Sequence, residues 1–246
     1  MLTLDGVGRR FADGTEALRG VSLRIESGDF VALLGASGCG KSTLLRLIAG
    51  LDRPDSGAVA WDSGAAPEPG RIGYVFQDAT LLPWATAAEN VYLPMRLLGR
   101  SRADADADIS DALSRVGLDG FADARPRQLS GGMRMRVSIA RALATKPRVL
   151  LMDEPFAALD EFTRHKMQLD LLGLWRDLGC TVVFVTHSIY EAAFLARRIV
   201  AMTPRPGRVH REIASPLAVR GADARLDPAY AALVAEATAA MEEARA

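Results

Sequence analysis

The chain has 246 residues and a mass of 26.4 kDa, with 49% hydrophobic and 24% charged side chains, room for one large domain or two small ones of ordinary globular composition. Disorder, a collagen-like fibre and a disulfide scaffold are excluded, and 30 basic side chains against 30 acidic ones leave no net field to recruit nucleic acid or anionic lipid. Apolar runs such as Phe30–Leu34 and Val182–Val185 fall far short of the ~20 residues that a membrane helix needs.

The N-terminal stretch carries Asp5, Arg9 and Arg10 in place of the apolar segment of a signal peptide. Cys39 and Cys180 are the only cysteines and lie far apart, which points to reduced thiols and a cytoplasmic protein. Arginine outnumbers lysine 27 to 3, so a lysine placed where chemistry needs one carries weight.

Strand-like runs at Val21–Ile25 and Phe30–Leu34 lead into a glycine loop and a helical stretch, Ser42–Ala49. Val59–Trp61 and Ile72–Val75 read as further strands, separated by the breaker-rich loop Asp62–Gly70. From Trp84 to Ala144 the strand signal gives way to helical stretches near Ala87–Leu98, Asp104–Val116 and Gly131–Ala144, which predict a helical insertion. Alternation returns with a strand at Val149–Met152, a helix at Glu161–Leu178 and a strand at Thr181–Thr186, the pattern of a parallel sheet with crossover helices. Met167, Leu171, Leu174, Trp175 and Leu178 recur at helical spacing and predict a core-facing stripe. Arg198–Met202 and Arg208–Ile213 read as closing strands. In the tail, Tyr230, Leu233, Val234, Ala237 and Met241 share one helical face, expected to pack on the domain or on a partner.

The loop between the second strand-like run and the first helix reads Gly35-Ala36-Ser37-Gly38-Cys39-Gly40-Lys41-Ser42-Thr43 and fits the phosphate-loop pattern. Glycines let backbone N–H groups turn inward around phosphate oxygens, and the following helix adds its positive end. Lys41 is expected to reach the β- and γ-phosphates of a nucleotide, and the Ser42 hydroxyl to hold Mg²⁺. A carboxylate for the metal is expected from Asp153, at the end of the apolar run Val149–Asp153, leaving Glu154 as general base toward the attacking water. His187 closes the strand Thr181–Thr186, where an imidazole meets the γ-phosphate. Gln77 follows Ile72–Val75, where its amide oxygen joins the metal or the water.

Leu129-Ser130-Gly131-Gly132-Met133 stands at the head of a helix, between the phosphate loop and the Asp153-Glu154 strand end. Ser130 at a helix start with Gly131 and Gly132 behind it makes a second anion site lined by N–H groups, for which a chain with one phosphate loop has no evident use. The segment resembles the signature motif of ATP-binding cassette ATPases, and the order of motifs matches that family over nearly all of Met1 to Ile213. The resemblance implies a P-loop NTPase (RecA-like) α/β core with a mostly parallel sheet, an N-terminal antiparallel β subdomain and an inserted helical subdomain. It implies one ATPase domain over residues 1–215, with core segments 1–84 and 145–215, a helical insertion 85–144 and a helical tail 216–246. It also implies that Phe11 stacks on adenine, the alternative being a core position. Asp160, in the Ala158-Leu159-Asp160 loop, would cross to the opposite subunit. Two copies would form a head-to-tail homodimer sandwiching two Mg-ATP, each signature capping the γ-phosphate held by the other copy.

The segments Phe76–Trp84, Asp153–Arg164 and Thr203–Arg208 are similar to import ATPases of the nitrate, sulfonate and taurine group, some relatives of which serve pyrimidine or thiamine-precursor uptake. Met133 and Met135 depart from the residues usual in the family or branch, which bears on coupling rather than on ATP binding. The implied partners are separate transmembrane permease subunits and, indirectly, an extracytoplasmic solute-binding protein, with the chain peripheral on the cytoplasmic face of the cell membrane. A groove near Gln77–Trp84 would receive a helix of the permease; Pro83 and Trp84 either anchor that contact or Trp84 serves the helical core. Two rivals are weaker. A soluble cassette ATPase acting on nucleic acid or ribosomes usually carries two cassettes, and this chain has one and no basic stripe. A P-loop kinase has no use for the Ser130 segment.

Overall fold

The computed structural model describes residues 2–62, 64, 68–157, 159–217 and 220–245. In chain order the elements begin with strands β1 (Leu2–Arg10), β2 (Glu16–Ile25) and β3 (Phe30–Leu34), helix α1 (Lys41–Ile48) and strands β4 (Ser56–Trp61) and β5 (Ile72–Val75). Helices α2 (Ala87–Leu97), α3 (Arg102–Arg115) and α4 (Gly131–Leu143) follow, then β6 (Val149–Asp153), α5 (Glu161–Leu178) and β7 (Thr181–Thr186). The chain ends with α6 (Ile189–Leu195), β8 (Arg198–Met202), β9 (Val209–Ala214) and α7 (Pro228–Glu243). It divides into two compact units, one formed by Met1–Pro67 with Thr181–Ala246 and the other by Glu68–Cys180.

In the first unit, β1 pairs antiparallel with both β2 and β4 in a three-stranded sheet of order β2-β1-β4. The sequence pattern does not reveal β1. Leu2, Leu4 and Val7 point inward, but the register shifts after Leu4 and the period-2 alternation breaks there. The same unit holds a parallel ladder in which β3 pairs with β7 on one side and β8 on the other, and β9 closes antiparallel on β8. All residues of β3 and β7 are buried, which is why both read as continuous apolar runs. Helix α6 is short, and its acidic Glu191 is buried while Tyr190 is exposed, an inverted pattern that hides it in the sequence. The tail helix α7 packs on α6, β8 and β9 and buries Tyr230, Leu233, Ala237 and Met241, so its apolar face is covered within its own unit.

In the second unit, β5 and β6 form a parallel pair, and α2 packs on both α3 and α4. The α5 stripe is buried at Met167, Leu171, Leu174 and Trp175 and half-buried at Leu178. The antiparallel part, the parallel ladders and the helical stretch are those expected of an α/β P-loop core.

Candidate functional site

The first unit carries the phosphate loop. Leu34 of β3 is in register with Thr186 of β7 and Ala201 of β8, so Gly35 and His187 leave the strands beside Met202, the last residue of β8, at one carboxyl edge. That edge is where ligands bind in parallel sheets. Gly38 and Gly40 have φ of +77° and +106°, the left-handed region that favours glycine. A Cβ at Gly40 would lie 2.7 Å from the Ala17 carbonyl oxygen, and one at Gly35 would lie 2.7 Å from Cys39 Sγ. Gly40 caps α1 without any side-chain hydrogen bond, whereas α2 to α7 each begin with a serine, threonine or aspartate whose side chain accepts a backbone N–H. The amino end of α1 thus carries no capping side chain, and its positive dipole end faces the glycine loop.

Lys41 is 4% exposed, and its Nζ donates to the carbonyls of Gly35 at 2.8 Å and Ala36 at 3.0 Å, folding the cation back along the loop. Ser37 and Ser42 are exposed, Ala36 and Thr43 half-buried. Cys39 is a free, buried thiol, so it contributes its backbone to the loop surface while its side chain lies beneath.

His187 is exposed on a braced corner. The Thr186 hydroxyl donates to Glu191 Oε2 at 2.6 Å and accepts from the Ser188 N–H at 3.0 Å, and Ser188 in turn caps α6. Phe11 lies in the turn between β1 and β2, exposed at 40%, with the Arg9 guanidinium 5.7 Å from its ring centroid, so it is not a core residue. In that turn the Thr15 N–H holds the Asp13 carboxyl below its ordinary range, and the charge of Arg205 contributes last among the causes. Arg205 Nε also donates to the Gly38 carbonyl at 3.0 Å.

The second unit carries the acidic strand end and the Ser130 segment. Val75 is in register with Met152, so Phe76 and Gln77 leave the β5–β6 pair at the same carboxyl edge as Asp153 and Glu154. Asp153 is 8% exposed, Glu154 is half-buried with φ of +44°, and Gln77 is exposed. A left-handed glutamate is uncommon and turns the side chain sharply out of the strand direction. The Ser130 hydroxyl accepts from the Met133 N–H at 3.2 Å, capping α4 and keeping its hydrogen for a further acceptor. Gly131 is exposed, and a Cβ at Gly132 would sit 3.0 Å from Thr163 Cγ2 and 3.5 Å from Leu159 Cδ2, so glycine lets α4 start against the base of α5. Asp160 caps α5 by accepting from the Thr163 N–H at 3.0 Å, the main cause of its lowered pKa. Ala158, in the same loop, lies outside the described residues.

Sequence reasoning missed three residues that organise these loops. Arg141 of α4 donates to the carbonyls of Thr80 at 2.9 Å and Ala79 at 3.0 Å, tying down the loop that begins at Gln77. Its only sequence signal is an arginine inside the buried run Ile139–Leu143. Asn90 is fully buried, accepts from the Leu82 N–H at 2.7 Å and donates to the Thr86 carbonyl at 2.9 Å. The loop it pins presents Trp84, 71% exposed and therefore not core. Arg205 sits in a segment noted only for its resemblance.

The donors expected for a metal are the Ser42 hydroxyl, the Gln77 amide oxygen and the Asp153 carboxylate. All are hard oxygens, the chemistry that suits Mg²⁺ held jointly with phosphates and water.

The chain matches the family described as ABC transporter over residues 18–157. It is 48% identical to a nitrate import ATP-binding protein of Synechocystis sp. over 198 residues, 80% of this chain and 74% of that one. It is also 48% identical to a taurine import ATP-binding protein of Yersinia pestis, covering 85% of this chain and 82% of the relative. Among solved structures, a dimeric post-hydrolysis state of the ATP-binding cassette MJ0796 bound to ADP and Pi superposes with a TM-score of 0.77 at 37% identity, covering 87% of this chain and 98% of that one. The chain belongs to the ABC transporter family and is an ATPase of that family.

Proposed function

We propose that this chain is the nucleotide-binding subunit of an import system, coupling ATP hydrolysis to uptake of a small solute of the nitrate, sulfonate or taurine type, or of the pyrimidine or thiamine-precursor type, through separate membrane subunits. The observation that carries this reading is the uncapped amino end of α1, set behind a glycine loop that closes on Lys41. The names of the import relatives support the nitrate, sulfonate or taurine type.

In this reading the N–H groups of Gly35 to Thr43 surround the phosphates, and Lys41 leaves its two carbonyls to neutralise the β- and γ-oxygens. Ser42, Gln77 and Asp153 hold Mg²⁺, which when bound neutralises charge on the phosphate oxygens. Glu154 accepts a proton from the attacking water, whose oxygen bonds to the γ-phosphorus as the bond to ADP breaks. His187 donates to the γ-phosphate, and Phe11, exposed in its turn, stacks on adenine. Ser130, Gly131 and Gly132 cap the γ-phosphate held by a second copy, and the Asp160 loop crosses to that copy. The chain then works as a head-to-tail homodimer whose closing moves the membrane subunits and whose hydrolysis reopens it.

The groove near Gln77–Trp84 receives a helix of the permease, the exposed Trp84 supplying an aromatic contact, with a solute-binding protein acting indirectly. The chain is peripheral, on the cytoplasmic face of the cell membrane; among the described residues no helix is long and apolar enough to cross a bilayer. The test is the mass in solution of Glu154→Gln by light scattering, with and without Mg-ATP. A monomer that becomes a dimer only with nucleotide supports the sandwich. A monomer that binds ATP tightly yet never dimerises, with or without added permease, removes the signature role of Ser130.

A further inference from the structure

The turn Thr203–Arg208 joins β8 to β9, and none of its side chains has a part in the proposed hydrolysis. It is nevertheless built against the phosphate loop. The Gly207 N–H donates to the Ala17 carbonyl at 2.9 Å, and the Gly207 carbonyl accepts from the Arg19 N–H at 3.0 Å, fastening the turn to β2. The Thr203 hydroxyl donates to the Pro206 carbonyl at 3.1 Å and accepts from the Arg208 N–H at 3.0 Å, closing the turn on itself. A Cβ at Gly207 would run directly into the Cys39 carbonyl oxygen, so the two backbones touch. From this fixed base, Arg205 Nε reaches the Gly38 carbonyl at 3.0 Å.

The consequence follows from peptide geometry. The Gly38 carbonyl and the Cys39 N–H belong to one planar unit and point in opposite directions. Arg205 holds the carbonyl from outside, while the Cys39 N–H donates inward to the Ala36 carbonyl at 3.3 Å. Lys41 shares that Ala36 acceptor, and it must leave it to reach a phosphate. On the reading of the loop as the ATP site, binding a phosphate breaks the Lys41 tie, while the Arg205 tie lies on the other side of the peptide and has no part in that exchange.

We propose that Arg205 is a positioning residue for the phosphate loop, fixing the Gly38–Cys39 peptide so that the loop is preset for a nucleoside triphosphate. This rests on the reading of the loop as the ATP site. Arg205 touches the loop and not the reacting atoms, so its contribution is to nucleotide binding rather than to the chemical step.

The test uses the full chain, Mg-ATP titrations of phosphate release and thermal unfolding, on Arg205→Ala, Arg205→Lys and Lys41→Ala. Loss of one charge-assisted hydrogen bond predicts that Arg205→Ala raises KM about tenfold and leaves kcat within about twofold. Because Arg205 is exposed, the unfolding midpoint stays at the wild-type value. Arg205→Lys, which still donates to one carbonyl, recovers most of the KM. Three results overturn the inference alone: a wild-type KM in Arg205→Ala while Lys41→Ala is inactive, a fall in kcat and unfolding midpoint with KM unmoved, or a lysine variant no better than alanine. Full activity in Lys41→Ala removes the ATP-site reading and the inference with it.

Discussion

Replacing Arg141 by Met keeps the aliphatic stem and removes the guanidinium that ties α4 to the loop after Gln77. Four acceptors lose a donor: the carbonyls of Thr80 and Ala79 at 2.9 and 3.0 Å, the Thr80 hydroxyl at 3.0 Å and the Ser138 hydroxyl at 3.3 Å. A hydrogen bond to a charged group contributes ~1.5–3 kcal/mol to stability. That scale does not multiply by four here, because Thr80 is exposed and water takes over its acceptors. Burial also works against the native arginine: removal from water is the cause that pushes its pKa down. Setting two retained bonds against that cost gives a net loss of about 2 kcal/mol. For a chain of this size each kcal/mol moves the unfolding midpoint by ~2–4 °C, so the expected drop is ~4–8 °C. Thr80 sits at φ of +44°, and without the guanidinium nothing on α4 holds that conformation. The loop relaxes, and the concentration of Mg²⁺ for half-maximal phosphate release rises along with the loss of stability. Arg141→Lys, with a point charge in place of a fork, falls between the two. An unfolding midpoint within about 2 °C of wild type, with unchanged Mg²⁺ dependence, would refute the assignment of Arg141 as the tie.

Three further outcomes are expected. Glu154→Gln lowers turnover by ~10²-fold or more while ATP affinity is kept, read by phosphate release and nucleotide titration; unchanged turnover removes Glu154 as the base. Gly207→Ala forces its methyl into the Cys39 carbonyl and displaces the phosphate loop on the ~1 Å scale, a misplacement that costs ~10²-fold in turnover, and near-wild-type rates would show that the turn yields instead. Asp108 accepts from Lys146 at 2.7 Å and Arg100 at 2.8 Å, and Lys146 first, then Arg100, hold its carboxyl below its ordinary 3.8. A depressed folded pKa adds stability above the unfolded value and loses it as pH falls through the folded one. Asp108→Ala therefore unfolds more easily at pH 7, by ~1 kcal/mol or less because both cationic partners are largely exposed, and urea curves of the two proteins converge in acid as the pH falls through the folded pKa of Asp108. A gap that persists in acid would point to packing rather than charge.

What the sequence made legible is what depends on neighbours along the chain. The phosphate loop is readable because the left-handed turns at Gly38 and Gly40, and the bare helix start after them, are local demands that only certain residues meet. The buried strands β3, β6 and β7 are readable because burial on both faces leaves their interiors to apolar residues, with polar ones only at the ends. Strand β1 escapes because its register shifts break the alternation, and α6 because it buries an acid to brace the corner beneath His187.

The residues that stayed hidden share a physical cause. Arg141, Asn90 and Arg205 all act on backbone carbonyls, at Thr80, Thr86 and Gly38. Every non-terminal residue offers the same carbonyl, so the acceptor leaves no trace in the sequence, and the donor looks like any other polar side chain. Residues that meet a phosphate or a metal must be of one chemical kind at a fixed spacing, and they announce themselves. Those that hold the loops carrying them are specified only by where the fold brings a donor. The loops beginning at Gly35 and Gln77 are each held this way by an arginine from a distant stretch of the same unit. In a chain with 27 arginines, composition alone could not single those two out. Loss of either arginine should therefore loosen its loop while leaving the motif that the loop displays intact in sequence, so a reading by motif alone would score such a variant as fully active.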